Sequence, residues 1–180
     1  MKKEPKVLDF DEFADELLAE KQPRALVILA AAKIDIQLRL LIETVFLPKC
    51  AKAADEDELL DGNSPLATFS SRIKVCRRLG LLDHRVWKVI DQLRDIRNHA
   101  AHWISFEIAQ SPRDLLRNLQ SIVEEWESYK LTVKRFFPDS ELNKYELLKA
   151  TLLTLCVLIE SIQCATAKEQ CVSKATFISK

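Results

Sequence analysis

Glycine is nearly absent from this chain, with two glycines in 180 residues. Tight hairpin turns need residues that tolerate positive φ, most often glycine, so a sheet of hairpins would have few places to turn. No segment keeps the strict alternation of a half-buried strand, whereas apolar residues recur at helical spacing along most of the chain. We therefore predict an all-α fold: a single-domain helical bundle of about five main helices and one short helix.

Capping residues predict where these helices begin and end. A short acidic helix follows Asp9, a long one starts at Pro23, and Ser-Pro pairs at residues 64–65 and 111–112 open two more. The predicted ranges are 9–20, 23–48, 64–80, 83–102, 111–137 and 139–168, with 103–110 irregular. We expect a bundle domain over 1–169 and a polar tail over 170–180, whose order the composition does not decide.

The charge balance excludes a global attraction to nucleic acid or anionic lipid, because 27 basic residues face 27 acidic ones. Five cysteines without a Cys-x-x-Cys pair are typical of reduced thiols, and three histidines without suitable neighbours predict no metal site. Residues 25–47 carry a charge every few positions, which disfavours a membrane span. No secretory leader is visible. We expect a cytoplasmic protein with no cofactor and no membrane contact.

One arginine stands on the apolar stripe of the fourth predicted helix. Residues three and four apart share a helix face, and this stripe runs Val86, Ile90, Leu93, Arg97. A guanidinium cannot lose its proton to escape burial, so it needs a partner. We predict an ion pair between Arg97 and Asp35 or Glu43 of the second helix that fixes how the two helices dock.

Three segments follow one another in a characteristic order: Asp61-Gly-Asn-Ser-Pro-Leu-Ala-Thr-Phe-Ser-Ser-Arg-Ile-Lys74, Leu79-Gly-Leu-Leu82 and Ile96-Arg-Asn-His-Ala-Ala-His102. With Ala30-Ala-Ala-Lys-Ile-Asp35 they resemble the mannitol operon repressor (MtlR/MltR) family over about residues 24–129. The resemblance implies an all-helical regulator of a sugar or polyol operon, which represses through protein partners without a DNA-reading motif of its own. Family members usually have Asp and an aromatic residue where this chain has His99 and Ala100.

The phrase Arg97-x4-His102 also resembles the signature of the HEPN superfamily, whose catalytic members are metal-independent endoribonucleases that act as dimers. That resemblance implies that His102 moves a proton, Arg97 stabilises phosphate charge and Asn98 orients the phosphate. Arg97 and His102 diverge by about 140° on an ideal helix. The two side chains would therefore converge only at a frayed helix end or across a second subunit.

The densest basic cluster lies on the third predicted helix. A candidate interaction surface there comprises Phe69, Arg72, Lys74, Arg77 and Arg78. Most such clusters are solvated faces, and the chain lacks a helix-turn-helix, a stacking platform or a basic arm. We expect a protein partner and leave direct nucleic-acid binding open.

The last predicted helix is apolar over a wide arc, so it is either central in the bundle or shared in a homodimer. No glycine-rich phosphate loop, Gly-x-Ser-x-Gly elbow or His-Glu-x-x-His pair occurs. No catalytic role is therefore favoured. A non-catalytic adaptor stays open as a third function, since a bundle alone dictates none.

Overall fold

The computed structural model describes residues 9–46, 57–102, 115–138 and 141–178, without the side chains of 115–116 and 170–178. These ranges contain seven helices and no strand: α1 (Phe10–Ala19), α2 (Pro23–Val45), α3 (Phe69–Arg78), α4 (His84–His102), α5 (Leu115–Glu124), α6 (Glu127–Phe136) and α7 (Lys144–Ile178). The predicted all-α bundle is confirmed, with one helix more than expected. The irregular segment predicted over 103–110 lies outside the described residues.

Helices α2 and α7 form the centre of the bundle and pack along each other. Leu26, Ile34 and Leu41 of α2 are fully buried, and so is almost every α7 side chain from Leu148 to Cys156. Within that buried stretch, the hydroxyls of Thr151 and Thr154 each donate to the carbonyl four residues earlier, at 2.7 Å. The wide apolar arc of α7 is thus covered within one chain.

Residues Lys144–Glu169 of α7 are also long and apolar enough to span a membrane by length and composition. Half of their most apolar window is nevertheless buried inside the bundle. A central core helix has this property, because neighbouring helices surround it on most sides. The apolar length of α7 is therefore explained by its position in the bundle.

Helix α3 begins at Phe69 and not at Ser64, as the Ser-Pro signal predicted. Thr68 caps it: its hydroxyl accepts from the Ser71 amide at 3.1 Å, and the Ser71 hydroxyl accepts from the Thr68 amide at 3.2 Å. This reciprocal capping satisfies two amides that the first helical turn leaves without partners. Residues 57–67 consequently form an ordered loop in front of α3.

The predicted helix over 111–137 is broken into α5 and α6. Trp126 has extended ψ of 142° between them and packs on the core. No proline or glycine lies at the break, so side-chain packing interrupts the helical pattern here. The last helix also starts later than predicted: Asn143 caps it, accepting from the amides of Tyr145 and Glu146 at 2.9 and 3.1 Å. It extends through Ile178, so helix continues into the predicted tail.

Candidate interaction surface

Arg72 is the arginine that the bundle buries, with 7% of its surface exposed. Its Nη1 donates to Asp35 Oδ1 of α2 at 2.7 Å, its Nη2 to the Leu60 carbonyl at 3.1 Å, and its Nε to the Leu66 carbonyl at 3.0 Å. A guanidinium offers five donors in a planar fork, so one side chain can engage all three acceptors. Arg72 therefore joins α2, α3 and the loop between them.

A second arginine fastens the same loop to α2. Arg39 makes a two-pronged contact with Asp61, whose Nη2–Oδ2 branch measures 3.2 Å, and its Nε donates to Glu43 at 2.9 Å. The Asp61 carboxylate also accepts from the Asp57 amide at 2.9 Å. The hydrogen bonds that Arg39 donates to Asp61 are the main reason that the pKa of Arg39 is raised above its ordinary value. Residues 57–67 are thus held by two arginines from two different helices.

The predicted ion pair of Arg97 is wrong for the residues that the structure describes. Arg97 is exposed and donates to the neighbouring Asn98 Oδ1 at 3.2 Å. Asp35 pairs with Arg72, and Glu43 pairs with Arg39. Over its second half, α4 buries Leu93, Ile96 and Ala100. Neighbouring residues lie about 100° apart on a helix, so a buried face centred on Leu93, Ile96 and Ala100 leaves Arg97 at its edge.

The same pattern argument could have identified Arg72. Phe69, Arg72, Ile73 and Cys76 recur at helical spacing, as an apolar stripe interrupted by one cation. Arg72 was predicted as part of the interaction surface, and its burial removes it from that surface. Phe69 is half-buried and packs against the core, so it too serves the fold. Asp35 was predicted as an ion-pair residue, and it is one, with a different arginine.

The predicted catalytic alternative does not assemble within one chain. Helix α4 is continuous through His102, and both Arg97 and His102 are exposed on it. Residues five apart on a continuous helix point about 140° apart. No frayed end brings these two side chains together in the described residues. Asn98 is half-buried and accepts the hydrogen bond from Arg97.

The remaining cations of α3 and two cations at the start of α4 are exposed, and this group is called here the basic patch. Its members are Lys74, Arg77, Arg78, Arg85 and Lys88, all exposed. The Arg77 guanidinium lies 4.0 Å from the centroid of the Trp87 ring, and His84 meets the same ring edge-on at 5.6 Å. Stacking of a cation on tryptophan links the end of α3 to the start of α4.

Charge and apolar exposure coincide at the basic patch. Between Lys74 and Ile90 the sequence has five lysines and arginines against one acidic residue, Asp83, whose carboxylate accepts from the Arg85 and Val86 amides at 2.7 and 2.9 Å. Leu79 is 49% exposed at the turn between the two helices. Gly80 makes that turn with φ of 72°, and the Leu81 amide donates to the Cys76 carbonyl at 2.9 Å. The basic patch can bind an acidic protein surface through its cations, and Leu79 adds one apolar contact.

No group of three or more metal-ligating side chains occurs in the described parts of the chain. The thiols of Cys76 and Cys156 are buried, and burial raises the pKa of both, that of Cys76 to about 12. A thiol that stays protonated is a poor nucleophile and a poor ligand. These two cysteines belong to the core.

Comparison with known proteins gives fold similarity. No family model and no curated protein matches the sequence. Among solved structures, the chain is similar to a possible transcriptional regulator, YggD from Shigella flexneri, with a TM-score of 0.61, 15% identity and coverage of 86% of this chain and 99% of that one. It is also similar to a chain of the MtlR-HPr complex from Escherichia coli, with a TM-score of 0.58, 19% identity and coverage of 86% and 98%. The chain thus has an MtlR-like helical fold over nearly the full length of both structures.

Proposed function

We propose that this protein is a cytoplasmic transcriptional regulator of the MtlR type, which represses its target by binding a protein partner through the basic patch. The observation that carries the proposal is the shared fold: both solved structures are covered almost completely, one described as a possible transcriptional regulator and the other as an MtlR-HPr complex. A bundle can carry other functions, so the surface chemistry has to supply the rest of the argument.

The basic patch supports a partner with an acidic docking surface. Five exposed cations in one region of a neutral chain make a local positive field, which accelerates association with an oppositely charged protein and fixes its orientation. Leu79 and the stacked Arg77 and Trp87 add the apolar and planar contacts that are enriched in protein interfaces. Arg72 ties α3 to α2, and Arg39 holds the loop before α3, so the patch is presented on a fixed helix.

Transcript measurement after gene deletion and charge reversal tests this function. We expect deletion to raise the transcripts of a target operon, and Lys74→Glu with Arg78→Glu to reproduce that rise, because both side chains are exposed and have no structural contact among those described. Lys168→Glu, an exposed charge reversal on α7, is the matched control and should leave transcripts unchanged. Unaltered transcripts after deletion would refute the regulatory function.

Two further outcomes separate the alternative mechanisms. A partner that purified protein binds, and that the double variant loses without any transcript change, would identify an adaptor. Direct binding of operator DNA that falls with salt and is lost in the double variant would identify a DNA contact in place of the protein contact. The predicted homodimer stays a prediction, and light scattering of the purified chain at several concentrations measures it.

A further inference from the structure

A cleft between α6 and the start of α7 has the features of a small-molecule site. Its volume is about 700 Å³, within the range of about 300–1,000 Å³ that is usual for ligand pockets. Val133 of α6, Phe137 directly after α6 and Leu142 before α7 line it with apolar surface. Each of these three side chains also packs on the core, so the apolar wall is supported from behind.

The Tyr129 side chain is a buried part of the cleft wall, with only 8% of the residue exposed. Its hydroxyl is buried and has no hydrogen-bond partner among the described residues, so it is closed off from a ligand in the cleft. Burial, and then the nearby Glu124 carboxylate, raise the pKa of Tyr129, so the hydroxyl stays protonated.

Two lysines stand beside the apolar wall. Lys130 and Lys134 are four residues apart and form one row on α6, next to the row of Tyr129, Val133 and Phe137. Like charges at this spacing repel, and an anion between them removes the repulsion. Lys130 has a weak, exposed ion pair with Glu127 at 3.1 Å. Glu124 of α5 also lines the cleft, near Tyr129, so the lysine side is the favoured position for an anion.

We propose that this cleft binds a small organic carboxylate with an aromatic or branched apolar body. The body lies along Val133, Phe137 and Leu142, and the carboxylate lies between Lys130 and Lys134. The basic patch lies on α3 and α4, so ligand and partner use different helices. In the proposed regulator this is an effector site; the assignment of the site itself needs only the purified chain.

Titration with two matched probes tests the proposal. 4-Phenylbutyrate carries the anion, and 4-phenylbutan-1-ol carries the same body without charge. We expect the anion to bind with a dissociation constant on the order of 1 mM and the alcohol to bind at least fivefold more weakly. Amide NMR shifts should move at Val133 and Leu142. Equal binding of both probes, or no binding of either, would overturn the carboxylate assignment.

Variants locate the binding. Lys134→Gln should weaken the anion several-fold and leave the alcohol unchanged, whereas Lys168→Gln should affect neither. Tyr129→Phe keeps the ring and should leave anion binding unchanged, because the hydroxyl is closed off from the cleft. Unchanged anion binding in Lys134→Gln would overturn the site. Shifts confined to Lys144 and Tyr145 would do the same, since those residues line a separate cleft of about 570 Å³.

Because these titrations use the chain alone, their failure would leave the transcript test of the regulator intact. Conversely, a chain that binds the anion as described but has no effect on transcripts would retain the site and lose the regulatory function. The two proposals can therefore fail separately.

Discussion

Replacing Arg72 by methionine should destabilise the protein strongly, because this substitution keeps the apolar stem and removes the guanidinium. The lost contacts are the ion pair with Asp35 and the donations to the Leu60 and Leu66 carbonyls. Breaking a buried ion pair costs about 3–5 kcal/mol. The Asp35 side chain is 29% exposed, so water solvates it after the substitution. We therefore expect a loss of about 3 kcal/mol in the free energy of unfolding.

Arg97→Met is the matched control for this experiment. It removes the same group from an exposed position whose described hydrogen bond is to Asn98, so the unfolding free energy should change by less than about 0.5 kcal/mol. Urea denaturation followed by circular dichroism measures both variants. In thermal melts, 3 kcal/mol corresponds to about 6–12 °C in a chain of this length.

A double-mutant cycle with Asp35→Asn isolates the ion pair from the two carbonyl contacts. We expect a coupling energy above about 1 kcal/mol, since the two side chains are in direct contact at 2.7 Å. Arg72→Lys should be more stable than Arg72→Met and less stable than the unchanged protein. A lysine ammonium lacks the planar fork of arginine, so it cannot reach three separated acceptors. The reasoning is refuted if Arg72→Met costs less than about 1 kcal/mol, or if Arg97→Met costs as much.

Three other substitutions or measurements test the remaining assignments. Gly80→Ala should cost about 1 kcal/mol in urea denaturation, since φ of 72° strains any residue with a Cβ while nothing within 4 Å blocks the methyl group; an unchanged midpoint would contradict this. Burial raises the pKa of Cys76 to about 12, so its contribution to stability is complete below about pH 9 and declines as the pH rises toward 12. Cys76→Ala should flatten that decline, and an equally steep decline in the variant would argue against it. Purified protein should leave single-stranded RNA intact in the presence of EDTA; cleavage that His102→Ala abolishes with folding preserved would instead establish the ribonuclease.

The sequence was sufficient for the fold class. The scarcity of glycine and the helical periodicity predict an all-α bundle. A helix satisfies its backbone hydrogen bonds within one segment, so it needs none of the tight turns that join strands. The start signals at Asp9 and Pro23 and the stop signal at Gly80 depend on neighbouring residues alone. In the structure Asp9 caps α1, Pro23 begins α2 and Gly80 makes the turn after α3. The start of α3 was displaced from Ser64 to Phe69, because Thr68 caps the helix and the loop before it is held by Arg72.

The sequence predicted that Arg97 would be buried among apolar side chains and paired with Asp35 or Glu43, whereas the structure buries Arg72 and pairs it with Asp35. Both Arg72 and Arg97 satisfy that pattern, since each interrupts an apolar stripe by the same spacing rule. Which of them is buried depends on the rotation of each helix against α2, and periodicity along one helix carries no information about its neighbours. The packing of α2 with α3 and α4 decided it, and with it the exposure of Arg97 and His102.

Clustering in space likewise came from the tertiary structure. The sequence predicted Lys74, Arg77 and Arg78 as a surface, but the contact of Arg77 with Trp87, which extends this surface onto α4, joins residues on two helices. The cleft at Tyr129 was not predicted, because it is made by the break at Trp126 and by residues before α7. Local chemistry thus determined which segments are helical and which residues carry charge. The docking of helices determined which charges are buried and which meet solvent, since burial depends on neighbours that lie far away in the chain.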